Sequence, residues 1–194
     1  MENALDSELI QALSSGSLEA LGVLYDRYQR MVYRTALAIT GDPDAAADLL
    51  QDVFLRLHRF VDRVDISRPL EPWLYRVTAN LSYTWVKRHN RWVRSLEDVA
   101  EWLTGGKKNS PSYLAEADET WGQVRQAILT LPLPQRVVVV LYYINDLSLQ
   151  EISEILDIPV GTVKSRLHYG RQALKDQLGL LRGEILGEMR YEFT

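Results

Sequence analysis

Four polar side chains spaced for one helix face could bind nucleic acid. Within WLYRVTANLSYTWVKR they follow at intervals of four, three and four residues, in the order Arg76, Asn80, Tyr83 and Lys87. On a helix this spacing forms one stripe, which Arg88 extends. The cations can neutralise phosphates, the ring can stack on an unpaired base for roughly 1–3 kcal/mol, and the amide can bind a base edge. The stripe predicts binding of single-stranded DNA; a solvated basic helix with a structural tryptophan is the alternative.

A second basic stripe lies behind a tight turn near the C-terminus. Ser148 and Glu151 match a capping box, and Asp157-Ile158-Pro159 then turns the chain into VGTVKSRLHYGRQALK. This arrangement predicts a helix-turn-helix whose second helix fits a major groove, with an ordinary helical hairpin as the alternative. Its polar residues at intervals of four, three and four are Lys164, His168, Arg171 and Lys175, with Ser165 and Arg166 beside them. Its apolar residues predicted to face the domain are Val163, Leu167, Gly170 and Leu174.

The charge of the chain alternates along its length. Residues 56–94 hold nine basic and three acidic side chains, and residues 158–176 hold four and one, whereas the formal net charge of the whole chain is −4. A protein that binds DNA alone needs a dominant positive face, because phosphate neutralisation supplies most of the non-specific affinity. The acidic remainder therefore predicts weak DNA binding by the chain alone.

The elements that position these stripes are predicted to be helices, because apolar residues recur at intervals of three and four. Ser17 is predicted to cap a helix that runs to about Ile39 and ends at Gly41. The inward residues predicted for that helix are Leu18, Leu21, Leu24, Tyr28, Met31, Thr35 and Ile39. Asp42 and Pro43 are predicted to open the next helix.

The run VVVVLYYI has high strand propensity, but it lacks a partner strand and follows Pro134, so a helix is predicted. The stretch TGGKKNSPS is typical of a flexible linker. The predicted fold is all-α, with two small helical domains. The predicted boundaries are 1–94 for the first domain, 95–112 for the linker, 113–178 for the second domain and 179–194 for a tail.

Enzymatic classes are poorly supported by the sequence. It has no cysteine, its three histidines are scattered, and it has no P-loop and no G-x-S-x-G motif. We therefore predict no catalytic residues, no metal site and no cofactor. The start MENALDSELI lacks an apolar leader, which predicts a cytoplasmic protein without membrane insertion of its own.

Nearly the whole chain resembles the extracytoplasmic-function (ECF) sigma factors, the promoter-recognition subunits of bacterial RNA polymerase. In the first half, LYDRYQRMVYRTA, DPDAAADLLQDVFLRLHRF and WLYRVTANLSYTWVKR resemble sigma region 2 in order and spacing. In the second half, LTLPLPQRVVVVLYYINDLSLQEISEILDIPVGTVKSRLHYGRQALK is similar to region 4. The family's fold of two helical domains agrees with the pattern described above.

The resemblance implies roles for individual residues. The pattern D-x-x-Q-[ED]-x-F implies binding to the β′ clamp of polymerase core by Asp48, Leu49, Gln51, Asp52 and Phe54. Opening of the minus-10 element and capture of an extruded base are implied for Asn80, with Arg76, Tyr83, Lys87 and Arg88 around it. Duplex reading of the minus-35 element is implied for Thr162, Lys164, Ser165, Arg166, His168 and Arg171.

The family also implies the β flap of polymerase and an anti-sigma factor as partners. The sequence departs from the family pattern mildly at Asp52 and Ser153, and its loop at 65–71 lacks an aromatic residue that often precedes the tryptophan. The tail is longer than the minimal form; it is either a fraying helix or a segment that packs elsewhere and tunes activity. A stand-alone helix-turn-helix regulator is the alternative function.

Overall fold

The computed structural model describes residues 4–103 and 119–179, and the side chains of 4–90 and 122–179 within them. These residues form eight α-helices and one 3₁₀ helix, with no strand among them, so the predicted all-α fold is confirmed. The helices are α1 (Asp6–Ser14), α2 (Leu18–Thr40), α3 (Pro43–Phe60), the 3₁₀ helix (Val61–Arg63), α4 (Glu71–Leu103), α5 (Glu119–Thr130), α6 (Leu133–Tyr143), α7 (Leu149–Leu156) and α8 (Val160–Gly179).

The helix ends follow local capping rules. The Ser17 hydroxyl accepts a hydrogen bond from the backbone N–H of Ala20 at the start of α2. The Asp42 carboxylate accepts two hydrogen bonds from backbone N–H groups in the first turn of α3, which begins at Pro43 as predicted. Gly41 ends α2 with a φ of 77°, a left-handed conformation that glycine adopts without strain.

The first half of the chain packs α1, α2, α3 and the start of α4 around one apolar cluster. Leu24, Val32 and Leu57 are fully buried within it. Asp6 ties α1 to α2 through an ion pair with Arg27. The prediction that Leu18 points inward was wrong, since it is 66% exposed. It is the first residue of α2 and lies two residues before Ala20, the first buried residue of that helix.

The second half of the chain packs α5, α7 and α8 around α6. Five consecutive residues of α6, Val137 to Leu141, are buried, which explains why its sequence has the uniform apolar character of a buried strand. Gly170 lets α8 approach α6 closely, because a Cβ at this position would lie 2.7 Å from a methyl carbon of Val139. The four residues predicted to face inward from α8 are all buried.

Helix α4 buries two faces rather than one. Leu74 lies in the cluster of the first half, as predicted. Tyr75 and Ala79 belong to a second cluster, together with Ile39 and the apolar residues of the second half. The two halves therefore share a continuous apolar seam formed by α2 and α4 against α5, α6 and α7.

Helix α4 also continues beyond the predicted domain boundary at residue 94, because its helical backbone extends to Leu103. The glycine-containing part of the predicted linker, residues 104–112, lies outside the described residues. So do the first residues of the predicted second domain, and all of the tail except Gly179.

Candidate nucleic-acid and partner interfaces

Helix α3 presents an acidic face to solvent. Asp48, Gln51 and Asp52 are exposed, and neither carboxylate forms an ion pair within the described residues. Leu55 lies one turn beyond Gln51 and is 64% exposed, which is unusual for a large apolar side chain. Leu55 is not among the residues predicted from sequence, although its spacing from Gln51 and Asp52 places it on the same face.

The other two residues of the α3 motif lie in the interior. Leu49 packs with Ala36 and Ala46, and Phe54 places its ring edge-on to Tyr25 with centroids 4.9 Å apart. Both are 4% exposed. In this arrangement they hold α3 against α2 and thereby orient the exposed residues of the acidic face.

On helix α4, Arg76 is bound to the second half of the chain. Its Nε donates a hydrogen bond of 3.0 Å to the carbonyl oxygen of Ile155, and its Nη2 donates to that of Glu154. These carbonyls lie at the C-terminal end of α7, where the helix dipole favours a cation. The side chain is thus engaged within the molecule, although the residue remains exposed.

The rest of the α4 stripe differs along its length. Asn80 and Arg88 are exposed. Tyr83 is half-buried against the seam, and the ammonium of Lys87 lies 5.0 Å from its ring centroid. This cation–π contact occupies one face of the ring that base stacking would use. Of the five predicted residues on this helix, Asn80 and Arg88 have side chains that form no hydrogen bond, ion pair or ring contact with the described part of the chain.

A cavity of about 560 Å³ lies beside Arg76, between the loop that precedes α4 and helix α7. Arg63, Arg68 and Trp73 line one wall, and Glu151 and Glu154 line the other. Arg63, Arg68 and Trp73 are not among the residues predicted from sequence, because helical periodicity carries no information about which side chains a loop brings together.

The loop is shaped by Asp65. Its carboxylate accepts hydrogen bonds from the hydroxyl and the backbone N–H of Ser67, at 2.6 and 3.0 Å. The hydroxyl bond, followed by the backbone bond, holds the pKa of Asp65 below its usual value. The carboxylate is therefore ionised at neutral pH and fixes the turn.

The predicted helix-turn-helix is present in full. Glu151 and Ser148 form the capping box. The Ser148 backbone N–H donates a hydrogen bond of 2.8 Å to the Glu151 carboxylate, and the Glu151 backbone N–H donates one of 3.2 Å to the Ser148 hydroxyl. Hydrogen bonding of the Glu151 carboxylate to the Ser148 hydroxyl, followed by the bond from the Ser148 backbone N–H, holds the pKa of Glu151 below its usual value. Asp157 ends α7 in a left-handed conformation with φ of 53°, and the Ser153 hydroxyl donates to the carbonyl of Ile158 in the turn.

Helix α8 presents its stripe outward. Lys164, Ser165 and His168 are exposed, and Thr162, Arg166 and Arg171 are half-buried. Tyr169 is 62% exposed and its ring contacts that of His168 edge-on. The sequence analysis did not include Tyr169, although its spacing from Ser165 and Arg166 places it on the same face.

Residues 4–103 and 119–179 contain no group of three or more His, Cys, Asp or Glu side chains that could hold a metal ion. None of the helices in these ranges has the length and apolar character needed to cross a membrane.

Comparison with known families agrees with this geometry. The family model "Sigma-70 region 2" matches residues 24–92, and "Sigma-70, region 4" matches residues 121–174. These matches define a two-region protein of the sigma-70 class. Together they span more than half of the chain and include the α4 stripe, the acidic face and the α8 stripe as far as Arg171.

Individual relatives indicate which group of sigma-70 proteins this chain resembles. The ECF RNA polymerase sigma factor SigW of Bacillus subtilis is 36% identical over 176 residues, which cover 87% of this chain and 94% of the relative. The structure of CnrH in complex with the cytosolic domain of CnrY is similar in fold, with a TM-score of 0.67 and 23% identity over 90% of this chain and 97% of that chain. The sigma factor RpoE of Bartonella quintana, solved with the anti-sigma factor NepR, gives a TM-score of 0.61 and 22% identity over 79% of this chain and 93% of that chain.

The chain belongs to the ECF sigma factors of the sigma-70 family. This result confirms the resemblance inferred from the sequence motifs. Members of this family are transcription initiation factors and not enzymes.

Proposed function

We propose that this protein binds core RNA polymerase, directs it to promoters and helps to open the minus-10 element. The observation that carries the proposal is the presence of both sigma regions in order on one chain, with an acidic face on α3 that has no ion-pair partner among the residues whose side chains the structure describes. A partner surface that brings positive charge can pair with those carboxylates.

In this proposal the domains divide the work. Residues 1–94 bind core and the minus-10 element, residues 113–178 bind the minus-35 element, and residues 95–112 connect them. The core-binding residues are Asp48, Leu49, Gln51, Asp52 and Phe54, of which the two apolar ones act by holding α3 in place. The β′ clamp receives this face, the β flap contacts the second domain, and an anti-sigma factor masks these surfaces in the cytoplasm.

The DNA contacts are assigned to the two stripes. Asn80 binds the extruded base, and the residues around it are Arg76, Tyr83, Lys87 and Arg88. The duplex-binding residues are Thr162, Lys164, Ser165, Arg166, His168 and Arg171. Two small basic surfaces gain effective concentration only when the enzyme fixes their separation, so DNA binding by the chain alone is expected to be weak.

The first experiment separates this function from that of a stand-alone regulator. Purified protein is passed over a gel-filtration column with core RNA polymerase, and separately mixed with promoter DNA at physiological salt. A sigma factor is expected to co-elute with core and to shift promoter DNA only with core. Tight DNA binding without core, and no co-elution, would favour the stand-alone regulator.

The second experiment tests the residues. Run-off transcription with core is measured on the promoter upstream of the protein's own operon, with Asn80→Ala and Arg171→Ala. Both variants are expected to lose most activity. Arg30→Ala on α2 changes an exposed residue outside the assigned sites and serves as the control. Wild-type activity in both test variants would refute the site assignments while leaving the family intact.

A further inference from the structure

Helix α8 presents one aromatic ring that none of the assigned contacts uses. Tyr169 is 62% exposed, and it is the only exposed Phe, Trp or Tyr among the residues whose side chains the structure describes. Its hydroxyl forms no hydrogen bond within that part of the chain. Aromatic side chains contribute strongly to interfaces when they lose contact with water, so Tyr169 is a candidate contact residue.

Tyr169 lies on the side of α8 that faces away from the other helices. Val163 and Leu167 are buried and define the inward side. At 3.6 residues per turn, Tyr169 falls between Ser165 and Arg166 around the helix axis, on the opposite side from the buried pair. This side carries the residues assigned to duplex DNA, and Tyr169 follows Ser165 by one turn.

The polar neighbours of Tyr169 on this side are bonded within their own helix. The Ser165 hydroxyl donates a hydrogen bond of 3.0 Å to the carbonyl of Thr162, and the Gln172 amide donates one of 3.1 Å to the carboxylate of Asp176. Tyr169 is longer than Ser165 and is not bonded in this way. Its ring is therefore well placed to enter a groove.

The ring is presented in a restricted orientation. It contacts the ring of His168 at a centroid distance of 5.5 Å, with an angle of 74° between the planes. The next residue, Gly170, lies against Val139 of α6, which fixes the backbone that carries both rings. A side chain that is already ordered loses less conformational entropy on binding, so this arrangement favours affinity.

We propose that the ring of Tyr169 packs against the C5-methyl group of a thymine in the major groove of the minus-35 duplex and thereby selects thymine at that position. The methyl group is the apolar group that a base pair offers in this groove, and an apolar side chain is its usual partner. Lys164 and Arg166 flank the ring around the helix and supply cations for the phosphates. The inference rests on the proposed function and adds a base contact that the polar stripe does not provide.

Removing the methyl group tests the inference on the DNA side. Each thymine of the minus-35 element is replaced singly by deoxyuridine, on both strands, which deletes the methyl group and keeps the base pair. The affinity of core polymerase carrying the protein is then measured by competition against the unmodified promoter. One replacement is expected to weaken binding about fourfold, the effect of exposing one buried methyl group, and the replacements elsewhere in the element serve as internal controls.

Changing Tyr169 tests the same contact on the protein side. Tyr169→Phe keeps the ring and is expected to keep the preference for thymine over uracil. Tyr169→Ala and Tyr169→Gln remove the ring and are expected to bind the thymine and uracil promoters equally well. Because Tyr169 is exposed, both of these variants are expected to fold, which thermal unfolding and co-elution with core verify.

The outcomes separate this inference from the proposed function. If the wild type neither binds core nor directs it to the promoter, the proposed function fails. If the wild type is active, the inference is refuted by equal affinity for every uracil-containing promoter, or by a preference for thymine that survives in Tyr169→Ala and Tyr169→Gln. Equal losses of affinity in Tyr169→Phe and Tyr169→Ala would also refute it, because they would assign the contact to the hydroxyl and a phosphate.

Discussion

Helices α4 and α8 each carry a polar stripe at intervals of four, three and four residues, but the two stripes differ in how much of each is exposed in the folded protein. On α8 one face is buried and the stripe is solvent-facing. On α4 two faces are buried, and the stripe lies between them, with Arg76 bonded to α7 and Tyr83 half-buried. Equal spacing in sequence therefore does not give equal availability for DNA.

The difference follows from where each helix sits. Helix α8 lies at the outside of the second half and contacts α5, α6 and α7. Helix α4 lies between the two halves and contacts α2 and α3 on one side and α6 and α7 on the other. When only one side of a helix is packed, a polar stripe on the other side remains exposed to solvent. When a helix lies between two packed layers, as α4 does, part of its stripe contacts the neighbouring helices.

The largest effect on stability is expected from a side chain added at Gly170, where α8 packs closely against α6. Gly170→Ala adds a Cβ 2.7 Å from a methyl carbon of Val139 and is expected to cost about 1–3 kcal/mol of unfolding free energy. Urea unfolding measures the loss. Gly161→Ala on the same helix meets no atom within 4 Å and is expected to leave stability nearly unchanged. Equal stability of the two variants would show that the buried face of α8 does not pack tightly against α6.

A smaller effect is expected at the cap that orients the helix-turn-helix. Ser148→Ala removes the hydroxyl partner of Glu151 and is expected to cost about 1 kcal/mol at pH 7. The Ser148 hydroxyl also interacts with the Glu151 carboxylate and, ahead of the Ser148 backbone N–H, lowers its pKa in the folded state, so this part of the contribution is present above the unfolded-state pKa and is lost as pH falls through the folded one. The difference between Ser148→Ala and wild type should therefore shrink below about pH 4.5, the unperturbed value.

That cap prediction is measured by urea unfolding at pH 7 and pH 3.5. Ser165→Ala, whose hydroxyl donates to the carbonyl of Thr162 within its own helix, serves as the matched control. A pH-independent cost at Ser148 would show that the charged form of Glu151 is not what the serine stabilises.

The smallest effect concerns salt dependence and tests the comparison most directly. In the complete initiation complex, Lys164→Ala and Arg76→Ala are each expected to reduce the slope of log affinity against log salt by about 1, the loss of one phosphate contact. In the free chain only Lys164→Ala is expected to reduce it, because Arg76 is bonded to α7. Equal slopes for both variants without core would remove the distinction between the two stripes.

Much of the local structure could be predicted from sequence. The caps at Ser17, Asp42 and Ser148, the end of α2 at Gly41 and the helical state of α6 all follow from interactions within a few residues. The family motifs assigned the α4 stripe to sigma region 2 and the α8 stripe to region 4. The exposed Leu55 and Tyr169 lie on faces that the spacing had already identified, but neither was among the predicted site residues.

The sequence by itself determined the helices, their caps and the polar periodicity of each face, because those depend on neighbours within one or two turns. Only the tertiary structure decided that α4 would bury a second face, and that Arg76 would bind carbonyls 78 and 79 residues away along the chain. Contacts at such separation depend on how two apolar surfaces fit, and no local period in the sequence encodes that fit.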